Sequence, residues 1–130
     1  MGEVKRTERG WGGHFICAYR CNFRRNTLLE VGKREIVIST VGMMEDYKIE
    51  GKIDAVGSGG RYYETMAFHA KKDGPYWDIA VGRKVSFDSE WAICAESVND
   101  LPEDVDNLAN DMHEAVVTEI AAKLLKGEKL

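Results

Sequence analysis

The chain lacks most of the features that identify a chemistry. Nowhere in its 130 residues is there an apolar run of the roughly 20 residues a membrane-spanning helix needs. No basic-then-apolar leader opens it. Its three cysteines are an odd number, which argues against a disulfide framework and for a reduced, cytoplasmic setting. The glycine-rich stretch Gly57-Ser58-Gly59-Gly60 has no P-loop lysine and runs into an expected strand instead of a helix. It is therefore neither a Walker motif nor a dinucleotide fingerprint. His113-Glu114 is followed by Val117 where a zinc protease helix needs its second histidine. No G-x-S-x-G elbow occurs, and His14, His69 and His113 are scattered without metal-ligand spacing. No metal, cofactor or catalytic residue is expected, and the chain reads as a non-enzyme. If it does process nucleotides, Glu64 and His113 are the acid–base candidates.

What is present is one α+β domain: an antiparallel sheet of about five strands followed by a C-terminal amphipathic helix. Residues 1–10 are charged and without period, as in a flexible arm, and 11–130 form the domain. Leu101 to Lys126 carries the only sustained helical period. Val105, Leu108, Met112, Val116, Ile120 and Leu124 make one apolar stripe. Asn99 or Asp100 suits the cap, Pro102 the first turn, and Gly127 the stop. A second stripe, Ala109, Val117, Ala121 and Leu125 around His113, makes the apolar arc wider than one sheet contact requires. That surplus predicts a homo-oligomer, a dimer or higher, joined through the helix.

Before the helix the pattern is strand and turn. His14 to Phe23 alternates, with Phe15, Cys17, Tyr19, Cys21 and Phe23 on one face. Four strand residues put Cys17 and Cys21 roughly 13 Å apart, too far for a disulfide. Arg24 to Thr27 reads as a polar junction. Ile36 to Met43 is apolar on both parities, as in a central strand covered on both sides. Arg61 to Lys71 and Trp77 to Phe87 flank the turn signal Lys72-Asp73-Gly74-Pro75 and read as a hairpin. Glu64 stands among large apolar neighbours, as an edge position or a partner for Arg83.

The net charge is −4 but unevenly spread. Lys5, Arg6, Arg9, Arg20, Arg24, Arg25, Lys33 and Arg34 lie in the first third, and Asp104, Asp106, Asp111, Glu114 and Glu119 on the helix. This favours a small anion over duplex nucleic acid, which needs a broad basic stripe. The ligand-binding set is Arg24, Arg25, Arg61, Tyr62, Phe87, Trp91, Asn110 and His113. Arginine forks pair with phosphate, aromatic faces stack on bases, and asparagine reads an adenine edge. Taken singly, each is more often structural, Phe87 and Trp91 in the core and Asn110 facing solvent, and only their convergence in space makes a nucleotide site.

Arg24-Arg25-Asn26-Thr27-Leu28-Leu29, Arg61-Tyr62-Tyr63-Glu64-Thr65-Met66-Ala67-Phe68 and Ala109-Asn110-Asp111-Met112-His113-Glu114 resemble segments of small phage- and prophage-encoded proteins. The layout over about Trp11 to Leu125 is similar to the first-described Thoeris anti-defence sponge family. The resemblance implies an oligomeric phage protein of the bacterial host cytoplasm. Such a protein would sequester cyclic ADP-ribose-type signals, or the cyclic oligonucleotides of CBASS-type immunity, without cleaving them. The alternative is a phage inhibitor that binds a host defence protein, such as a nuclease effector, through a sheet edge or the acidic helix face.

Overall fold

A computed structural model describes residues 3–9, 14, 16–57, 59–73, 76–85 and 91–130. Among the described residues, seven antiparallel strands form one sheet: β1 (Lys5–Arg9), β2 (Cys21–Val31), β3 (Arg34–Glu45), β4 (Ile53–Asp54), β5 (Arg61–Asp73), β6 (Tyr76–Lys84) and β7 (Trp91–Cys94). The order is β1-β2-β3-β5-β6, with β4 on β3 and β7 on β5. Helix α1 (Val105–Leu125) covers one face. The α+β class expected from the sequence is the observed one. Among the described residues no helix is long and apolar enough to cross a membrane.

Strand β3 sits at the centre because both of its parities are apolar or small. Ile36 to Gly42 are all buried. Ile36 and Ile38 join Leu29, Ala67 and Val85 beneath Val116, Val117, Ile120 and Leu124 of α1. Val37 joins Leu28, Phe68, Ala70 and Ile79 on the far face, away from the helix. Each such side chain contributes about 1.5–3 kcal/mol by leaving water.

Three sequence expectations give way. Lys5–Arg9, expected in a loose arm, is an edge strand in register with Asn26–Glu30. Ile16–Arg20, expected within a strand, is a 3₁₀ turn, and the strand begins at Cys21. Ala18 of that turn packs on Cys21 and Val41, which lays the segment over the far face. The supposed polar junction Arg24–Thr27 is mid-strand, because Asn26 and Thr27 are buried with polar partners. Cys21 and Cys94 are free thiols, and burial pushes the Cys21 thiol up to about 11. The side chains of Cys17 and Arg83 and the Gly74-Pro75 turn lie outside the described residues.

The helix also starts later than its sequence suggests. The Asp100 carboxylate folds back onto the Ser97 N–H and hydroxyl and closes a 3₁₀ turn at Val98–Asp100. Asp104 then takes the cap position. At the other end Gly127 stops α1 as expected. Its φ of 73° lets Gly127 N–H reach the Leu124 carbonyl and Glu128 N–H the Lys123 carbonyl, a Schellman closure.

The buried arc of α1 is turned toward the second stripe. Ala109, His113 and Val117 are buried in the chain's own core, while Leu108 and Leu125 are exposed. The apolar surplus that predicted a partner helix is therefore mostly covered from within. Beside the helix start, Tyr63 lies flat over Gly42 and edge-on to Phe23, and its hydroxyl donates to Asp106 at 2.5 Å. A Cβ on Gly42 would stand 2.2 Å from the ring. Gly42→Ala is expected to destabilise by about 1–3 kcal/mol through overpacking, read as a lower urea midpoint with an unchanged slope.

Candidate functional site

The sheet holds one buried histidine against each face. On the helix side, His113 has no exposed surface. Its Nε2 is 2.7 Å from Thr27 Oγ1 on β2, and its Nδ1 is 2.7 Å from Thr40 Oγ1 on β3. Thr40 Oγ1 in turn meets Thr65 Oγ1 on β5 at 2.6 Å. The proton positions follow from the outer end of this chain. The Thr27 hydroxyl donates to Glu8 Oε2 at 2.8 Å, so its oxygen accepts from His113 Nε2–H. Nδ1 then accepts from Thr40, and Thr40 accepts from Thr65. Four strands and the helix are joined by one directed line of hydrogen bonds that ends on a carboxylate.

The carboxylate end is closed by charge. Arg25 donates through Nε to Glu8 Oε1 at 3.1 Å and pairs with Glu114 Oε2 at 2.9 Å. Arg6 grips Glu114 with two nitrogens, at 2.7 and 2.5 Å, and reaches Glu8 Oε2 at 3.2 Å. Two guanidinium groups thus meet two carboxylates. The bond from Arg6, then that from Arg25, holds Glu114 down to about 2. Burial opposes ionisation of Glu8, but its bonds from Arg25 and Thr27 prevail and its pKa falls below the usual carboxylate range. Burial, then the neighbouring Arg25, lowers His113 to about 4. The ring is neutral at neutral pH.

On the far face, His14 Nε2 is 2.5 Å from Glu64 Oε2 and His14 Nδ1 is 3.0 Å from Ser39 Oγ, with Phe68 against the ring. Arg61 Nη1 donates to the other Glu64 oxygen at 3.0 Å. Burial works against the Glu64 charge, yet hydrogen bonds from His14 and Arg61 outweigh it and the pKa is lowered. Gly57 lies over this group: a Cβ there would approach Glu64 Oε1 at 3.3 Å. Ser39, His14 and Glu64 have the order of a nucleophile, a base and an acid. Ser39, however, has no exposed surface, so an acyl substrate has no approach to it. Among the described residues no buried side-chain polar atom lacks a partner, and no cluster of three His, Cys, Asp or Glu could hold a metal.

The residues chosen from sequence do not form one pocket. Arg25 and His113 share the helix-side network, linked through Glu8 and Thr27. Arg24 is exposed on β2 with far-face parity, opposite Val41, which is opposite Glu64, the partner of Arg61. Tyr62 is buried near the helix start, Trp91 packs against the main core, and Asn110 is half-buried on α1. Phe87 lies outside the described residues.

Sequence reasoning missed Thr27, Ser39, Thr40 and Thr65. The available signal was hydroxyl residues inside apolar strands, which must find partners when buried. It also missed Arg20 and Tyr47. Arg20 donates to the Glu45 carbonyl at 3.1 Å and stands 5.2 Å from the centroid of the exposed Tyr47 ring.

The depressed His113 makes stability depend on pH with a defined sign. The unfolded chain takes up a proton near 6.5, whereas the folded chain takes it up only near 4. The contribution is complete above about pH 6.5 and is lost as pH falls toward 4. It amounts to about 3 kcal/mol at full extent. Urea unfolding at pH 7, 5.5 and 4.5 should show that loss, and His113→Gln should flatten it.

Comparison of the chain with protein-family models, curated proteins and solved structures finds no match.

Proposed function

We propose that this protein is a non-catalytic sponge for a small phosphate-bearing nucleotide, bound at the arginine-rich end of the far face. The observation that carries this reading is a gathering of arginines on the far face. On the helix side, Arg6 and Arg25 are matched by Glu8 and Glu114. On the far face, Arg9 bonds Asn26, Arg24 is exposed, and Arg61 bonds the buried Glu64 carboxylate that His14 also meets. Arg20 ends the 3₁₀ turn that leads into β2 and Arg24 is the fourth residue of that strand, so both stand near its start. Arg24 and Glu64 occupy one rank of the sheet two strands apart, about 10 Å. Arg61 bonds Glu64 at that second point, so a cation stands at each end of the span, which suits a ligand carrying more than one phosphate.

The histidines favour capture over turnover. Both ring nitrogens of His14 and His113 are engaged inside the protein, so neither is offered as an acid or base to a bound ligand. The resemblance noted in the sequence supplies the setting: a phage anti-defence factor that removes cyclic ADP-ribose-type or cyclic oligonucleotide signals from the bacterial cytoplasm. The inhibitor reading, in which the acidic helix docks on a host protein, is the weaker one. Of its four contacts, Asp104, Asp106, Asp111 and Glu114, two are occupied, Asp106 by Tyr63 and Glu114 by Arg6 and Arg25.

Titration calorimetry with cyclic ADP-ribose isomers and cyclic trinucleotides should give heat with at least one of them. Ligand recovered after denaturation should be intact. Arg24→Glu should weaken binding by roughly ten-fold or more, as expected for a lost charge-assisted hydrogen bond. Silence with every compound would end the reading.

A further inference from the structure

We propose that Tyr47 is the base-stacking platform of this nucleotide site, with the guanidinium of Arg20 as the adjoining phosphate contact. The inference rests on the sponge reading and adds the part of the ligand that phosphate contacts alone leave unread, the base.

Tyr47 is 73% exposed and Tyr19 71%, whereas Tyr62 and Tyr63 are buried. Hydrophobic packing does not hold it there. The turn that carries it is fixed by hydrogen bonds instead. Asp46 Oδ1 accepts the Lys48 N–H at 2.7 Å and the Ile49 N–H at 2.9 Å, and the Asp46 N–H reaches the Lys52 carbonyl at 2.8 Å. Gly51, with φ at 80°, completes the reversal. An aromatic ring on a fixed turn loses little conformational entropy when a flat ligand settles on it.

Two cations attend the ring, Arg20 Cζ at 5.2 Å and Lys48 Nζ at 5.3 Å from its centroid. Arg20 is itself held by the Glu45 carbonyl and, at 3.8 Å, by Met44 Sδ. An exposed ring with two positive charges held over it is the pairing that a nucleotide presents in reverse, a flat base joined to an anion. A plain phosphate-binding site has no use for the ring, and an apolar protein contact has no use for the cations.

The test compares cyclic tri-AMP with tripolyphosphate, which has charge but no base, by calorimetry on the full chain. Tyr47→Ala should weaken cyclic tri-AMP by roughly ten-fold and leave tripolyphosphate unchanged, while Tyr47→Phe keeps both affinities. Tyr47 is on the surface, so neither change should disturb folding, and unchanged urea midpoints would verify this. Wild-type affinity for cyclic tri-AMP in Tyr47→Ala overturns the platform, as does an equal loss for both ligands. Uptake of tripolyphosphate but not of any nucleotide by the wild type overturns the platform and leaves the anion site standing. Uptake of neither overturns the platform and the sponge reading together.

Discussion

The seat of His113 is the constraint on which the rest of the structure depends. A neutral imidazole with no access to water needs a donor on one side and an acceptor on the other. Thr40 and Thr27 supply them from two adjacent strands, and only one rotation and one axial position of α1 lets the ring reach both. Apolar packing alone leaves a helix free to slide by small amounts, because Val116, Ile120 and Leu124 would be buried in neighbouring registers too. A polar peg with two fixed sockets removes that freedom, since a slip of one residue would strand a ring nitrogen and a threonine hydroxyl out of water.

The same seat explains β1. Thr27 can present its oxygen to the histidine only because its proton goes to Glu8. Glu8 in turn requires a counter-charge, which Arg25 and Arg6 provide while also gripping Glu114 on the helix. An N-terminal segment with no hydrophobic period thus acquires a fixed structure through partners distant in sequence. It engages the arginines of one face, Arg6 and Arg25, in a closed set of ion pairs.

This division marks how far the sequence could be read. The class of fold, the central place of Ile36–Met43, the hairpin of β5 with β6 and the stop at Gly127 were legible, because each rests on local period or on backbone chemistry at a single residue. The start of β2 was not. Alternation over residues 14–23 is also compatible with a turn that buries Ala18 and Cys21, and the choice depends on His14 meeting Ser39 and Glu64 from across the sheet. The face of α1 was misread for a related reason: its centre is a histidine, which a hydrophobic pattern treats as a gap. Arg24 and Arg61 were legible as candidate phosphate partners but not as members of one face, and Tyr47 was hidden in a polar turn. Nothing in the order of residues says that Arg20 will stand over it.

The edge formed by Lys5–Arg9 carries a consequence for self-association. Among the described residues no strand pairs with its outer side, and the strand is Lys-Arg-Thr-Glu-Arg, with every residue before Arg9 exposed. A second copy zipping on laterally would have to bring a row of charged side chains into register with its own. Fibre-like growth from that border is thereby disfavoured, and any assembly of copies is steered toward contacts made by the two broad surfaces or by the helix.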